Sequence, residues 1–132
     1  MRTIDIAQLY LRIVIGGMLL LHNIWKYQNY NDIISTYPQL EGLSGALWFT
    51  LFAALECTTA LMLIAGWRVR LASVILIVGS ILALTIYFPN PSINDLELKG
   101  IYIFIYIYMF IAGGGLYSMD GVRTQCKSAT KE

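Results

Sequence analysis

Glu56 is the residue of this chain best placed to do chemistry. Between residues 42 and 67 it is the only charged side chain, in a run of apolar and small residues. Upstream, Gln8, Arg12, His22 and Lys26 fall within a sector of about 80° on one helical face, at about 100° per residue. A carboxylate and an imidazole so placed can exchange protons, which is the work of a general acid or base. Tyr102 and Tyr106 form a second stripe, four residues apart, and Tyr87, Trp25 and Trp48 add aromatic surface at the ends of their segments. Arg12 and these aromatics are the candidate binding residues; Glu56 and His22 are the candidate proton-exchange groups. Metal chemistry is not expected, because one histidine makes neither a zinc site nor a bis-histidine haem. Cys57 and Cys126 form no CxxC, so neither a disulfide framework nor a dithiol relay is indicated.

The elements that carry these residues are set by composition. The 132 residues are 58% hydrophobic and 13% charged, against about 25% charged in an ordinary soluble domain. Twenty-four uncharged residues separate Arg70 from Asp95, and 20 separate Lys99 from Asp120. About 20 apolar residues at 1.5 Å rise span a hydrocarbon core of ~30 Å. A soluble enzyme and a nucleic-acid binder are therefore excluded, and an integral membrane protein remains. The expected fold is all-α, an antiparallel bundle of four transmembrane helices at about 6–27, 45–66, 71–88 and 100–118. Helix is the open-ended element that satisfies its own backbone in lipid, so the alternating IYIFIYIYMF is read as helix despite its strand-like pattern. The third span ends at FPNP, since proline cannot continue a helix. The residues NDIISTY suit a short interfacial helix. Residues 1–121 form one domain, and 122–132 a polar tail expected to fray. The glycines at 16, 17 and 113–115 are read as packing notches in mid-membrane.

Charge sets the orientation. With four spans, seven Lys and Arg lie on the side of the termini and two on the other. The positive-inside bias then places both termini in the cytoplasm.

Depth makes Glu56 unusual. It lies ~15 Å from the cytoplasmic end of its helix, between Arg12 at ~8 Å and His22 at ~22 Å. A charge there costs at least ~2.5–3.5 kcal/mol unless it is paired or protonated. Two arrangements follow. Arg12 reaches up to an ionised carboxylate, or Arg12 turns to the cytoplasm and the carboxyl is protonated. The pair is the favoured expectation, because it also explains an arginine so far inside the first span.

Taken together, these residues resemble the DoxX family of small bacterial membrane proteins. LYLRIVIGGMLLLHNIWK matches the family's first span in Arg12, Gly16, His22 and Lys26. LECTTALMLIAGWRVRLAS matches its second in Glu56, Gly66, Arg70 and Ala72, and GGGLYSMD matches its closing motif in Gly115, Ser118 and Asp120. The family commonly has glycine where this chain has Asn23. The resemblance implies a four-helix fold in the bacterial inner membrane. It also implies similarity to subunits of thiosulfate:quinone oxidoreductases and to a methylamine-utilisation maturation protein. Two functions follow as expectations. One is the quinone-interacting subunit of a redox complex, with no cofactor of its own and electrons supplied by a soluble or membrane redox partner. The other is a non-enzymatic scaffold, chaperone or lipid-binding protein. Membrane lipid is the expected surrounding, nucleic acid is not a partner, and a homodimer is compatible with so thin a bundle.

Overall fold

The computed structural model describes residues 2–36, 42–86 and 92–130. Its regular elements are helices: α1 (Arg2–Gln28), α2 (Tyr30–Thr36), α3 (Gly45–Ala65), α4 (Val69–Ile86), α5 (Ile93–Ala112) and α6 (Met119–Ala129). No strand occurs among the described residues, and IYIFIYIYMF is helical throughout. Three helices are long and apolar enough to cross a membrane: Thr3–Gln28, Gly45–Ala65 and Val69–Ile86, with mean hydropathies of 1.7, 1.8 and 2.3. α5 is the fourth long helix. It begins seven residues before the expected 100–118 span and takes Asp95, Glu97 and Lys99 into its first turns. It also stops early, at Ala112, because the next residue turns to positive φ (Gly113, 72°).

Local sequence explains the boundaries. Ser44 caps α3 by accepting from Leu47 N, and Gly66, at φ 70°, ends it in the left-handed region that glycine adopts without strain. Ser92 and Asp95 form a capping box at the start of α5. Ser118 caps α6, accepting from Gly121 N at 2.9 Å. The tail expected to fray is therefore helical over Met119–Ala129, though exposed along its length.

α1 packs on α3, α3 on α4, and α4 on α5, while α2 lies against α1 and α3. One core draws on the four long helices: Ile15, Leu63, Val69, Ala72, Leu76, Tyr106 and Met109. Outward-facing apolar side chains, such as Ile13, Leu51, Val78 and Phe104, cover the outside. In water such a surface would be costly; against acyl chains it is at home. Gly16 lets α1 approach α3, since a Cβ there would lie 2.5 Å from Ile64 Cγ1 and 3.0 Å from the Ala60 carbonyl. Gly17 meets nothing within 4 Å and is no notch. The glycines at 113, 114 and 115 lie in the turn after α5 and not in mid-helix. Tyr87 and the FPNP stop lie outside the described residues.

Candidate functional site

Glu56 lies midway along α3, on the face that also buries Phe49, Ala53, Thr59, Ala60 and Leu63. Its carboxylate Oε2 accepts from Lys26 Nζ at 2.8 Å, an ion pair joining α1 to α3. The pair is sheltered but not sealed, with side-chain exposures of 18% for Lys26 and 27% for Glu56. Beneath it lies a cavity of about 60 Å³ walled by all four long helices. Leu19 comes from α1, Phe52, Glu56 and Thr59 from α3, Gly79, Ser80 and Ala83 from α4, and Lys99 and Tyr106 from α5. Tyr106 is buried, with Tyr102 against it at 6.1 Å between ring centroids. The charges of Lys26 and Lys99 act on this space together with that of Glu56. One ammonium group, a carboxylate and a phenol thus line a small and otherwise largely apolar cavity, with a second ammonium, Lys26, paired to the carboxylate.

Arg12 belongs elsewhere. The expected pair with Glu56 does not form: Arg12 Nη2 donates to the Tyr117 carbonyl at 2.7 Å, and the side chain is 1% exposed. Nor does it turn out to water, as the alternative expected. Its Nη1 lies against Gly66, where any Cβ would collide with it, and its Nε and Nη1 are buried without a hydrogen-bond partner among the described residues. The reason is position along α1. Lys26 lies 14 residues further on, about 21 Å away along the axis, level with the carboxylate, whereas Arg12 is level with the turn that follows α5.

The other candidates divide. His22 is exposed and stacks on Trp25 at 6.4 Å and 15°, and it lies within electrostatic range of Glu56, Lys26 and Lys99. Trp25 is 56% exposed and turns away from the cavity. Trp48 packs against Phe52, a cavity wall, with ring centroids 5.9 Å apart and planes tilted by 32°. Tyr87 cannot be placed among the described residues.

At the end of the molecule where Arg12 lies, three side chains hold the turns. Asp120 accepts from Arg68 N at 3.0 Å and from Val69 N at 3.1 Å, while its own N–H donates to the Gly66 carbonyl at 3.2 Å. Asp5 Oδ1 accepts from Leu116 N at 3.2 Å. The serine and aspartate of GGGLYSMD are therefore caps, one for α6 and one for α4.

The DoxX family model matches residues 7–88. The chain belongs to the DoxX family. No curated protein and no solved structure matches it. The matched stretch holds Arg12, His22, Lys26 and Glu56, and the structure separates these DoxX positions into two sets. Glu56 lines the cavity, with Lys26 paired to it and His22 exposed within electrostatic range, and Arg12 ties α1 to the far end. Sequence reasoning placed Lys26 in the same helical sector as His22 but did not pair it with Glu56, because periodicity gives a face and not the level of the facing helix. It missed Lys99 because α5 was expected to begin after it. Asn23, 2% exposed, donates to the Leu19 carbonyl at 3.0 Å and fills a place where a glycine would leave room.

Proposed function

We propose that this DoxX protein is the membrane subunit of a quinone-linked redox complex in the bacterial cytoplasmic membrane, with four antiparallel spans and both termini in the cytoplasm. The reading rests on the Lys26–Glu56 pair and on the cavity that Glu56 lines together with Lys99 and Tyr106. A quinone, when bound, takes up two electrons and two protons; this chain's residues supply the polar and protic part. Ammonium and phenol groups donate to carbonyl oxygens, and an intramembrane carboxylate accepts and returns protons. The cavity's 60 Å³ is far below the ~300–1,000 Å³ of pockets that enclose ligands. A quinone ring would therefore not be enclosed there, and Glu56, Lys99 and Tyr106 would meet only its polar carbonyl groups. Electrons come from a partner protein.

The test is saturable binding of a quinone analogue to the purified protein in lipid nanodiscs, alone and with copurifying partners. Glu56→Gln is expected to weaken that binding about tenfold, the loss of one charge-assisted hydrogen bond, with helical content unchanged. Absence of saturable binding in both preparations rejects the reading.

The small cavity favours a second reading, a scaffold in which the ion pair fixes α1 against α3. On that reading Glu56→Gln leaves no ligand effect but lowers assembly with the partner.

A further inference from the structure

The opposite end of the molecule from the α2 side carries a second and larger concavity, which the quinone reading does not use. It is an open groove of about 550 Å³ between the start of α4 and the turn after α5, lined by Arg68, Arg70, the glycines at 113–115 and Asp120. This volume lies in the range of small-molecule sites. Its side-chain charges are two guanidiniums against one carboxylate, and both carboxylate oxygens are already engaged by the amides of residues 68 and 69.

The glycine turn is shaped around one of these arginines. At Gly113 a Cβ would lie 3.5 Å from Arg70 Nε and 3.9 Å from its Nη2, so the Arg70 side chain lies over bare backbone. Arg68 is held at φ 46°, the only positive φ among the described non-glycine residues. Such a conformation is uncommon for a side chain of this size, and here Asp120 secures it. Arg68 and Arg70 are both exposed. Two forked cations thus flank a groove whose lining includes the bare backbone of four glycines, an arrangement suited to bidentate contact with a phosphate group.

The surroundings identify which phosphate. The groove lies at the ends of α3, α4 and α5, where the apolar surface of the helices stops. Next to it, α6 places Met119, Val122 and Cys126 on one side and Arg123 and Lys127 along the edge of that side. Met119 and Val122 are 56% and 55% exposed. An apolar stripe flanked by cations is the pattern of a helix lying in the headgroup layer. We propose that the Arg68–Arg70 groove binds the phosphodiester headgroup of an anionic phospholipid. Basic pockets between helix ends on the cytoplasmic side are suited to such headgroups. The assignment rests on the proposed orientation of the helix ends and is independent of the quinone reading.

The experiment compares the lipids retained by the protein from nanodiscs of mixed phosphatidylglycerol and phosphatidylcholine, read by native mass spectrometry. Wild type is expected to retain phosphatidylglycerol preferentially. Arg70→Gln is expected to reduce that preference about fivefold, and adding Arg68→Gly, which suits the positive φ, about fivefold more. Arg123→Gln with Lys127→Gln, on α6 and outside the groove, is expected to keep at least half of it. Equal retention by wild type and the groove variants overturns the proposal, as does loss confined to the α6 variant. Inorganic phosphate added to wild type separates the two sources of the anion. If it protects the protein against heat while phosphatidylglycerol does not, the lipid assignment fails and a soluble phosphate takes its place. If the double groove variant loses its helical signal, the single Arg70→Gln variant and the wild-type lipid preference decide the matter.

Discussion

Lys26 and Glu56 come from helices α1 and α3 and meet in a setting where neither charge is fully solvated, so each compensates the other. Replacing Lys26 by Met leaves the carboxylate to find another cation or a proton. A double-mutant cycle with Lys26→Met and Glu56→Gln, followed by thermal unfolding in detergent, is expected to give a coupling of about 0.5–3 kcal/mol. A coupling near zero would mean that the two side chains act separately and that the contact contributes nothing to stability. Glu56 was legible in the sequence because a lone carboxylate in an apolar span needs a partner; which partner was not. Arg12 and Lys26 share a helical sector, and periodicity assigns a face without saying what stands opposite at each level. The answer came from the height of α3 relative to α1 and from the Tyr117 carbonyl, which draws Arg12 to the other end.

Among the elements, α1 against α3 depends on a backbone approach and α4 on a borrowed cap. Gly16→Val places atoms where Ile64 and the Ala60 carbonyl already are. It is expected to destabilise the protein by about 1–3 kcal/mol, as overpacking does, and the same change at Gly17 is expected to do much less, since that position is open. Comparison of the two melting temperatures checks both statements. Asp120→Ala removes the acceptor for the first amides of α4 and is expected to cost about 0.5–2 kcal/mol, the range for a lost N-cap. Asp120→Asn, which keeps an acceptor, is expected to recover part of that loss. Helix type and the limits of α3 could be read from the chain, because Ser44 and Gly66 are strong local signals. The start of α5 could not be read from charge spacing: Asp95, Glu97 and Lys99 argue against a membrane span, while the Ser92 capping box begins the helix before them.

At the scale of the whole molecule, the proposed orientation puts α6 and its exposed Cys126 on the cytoplasmic side. A membrane-impermeant maleimide applied to intact spheroplasts is expected to leave Cys126 unmodified and to label it once the membrane is opened. Labelling of intact cells at Cys126 would reverse the topology. Cys57, half-buried on α3 within the apolar region, is expected to react slowly under both conditions and serves as an internal reference.

Composition and uncharged run lengths by themselves determined a helical membrane protein, the approximate limits of α3 and the need of Glu56 for a partner or a proton. Each is a property of hydration or of backbone geometry that acts over a few neighbouring residues. The tertiary structure decided the rest: the Lys26–Glu56 pair, the burial of Arg12 beneath Tyr117, the capping of α4 by Asp120, and the placing of Arg70 over Gly113. These contacts join residues 30 to 105 positions apart along the chain. Their partners depend on the relative height and rotation of packed helices, which no local pattern encodes.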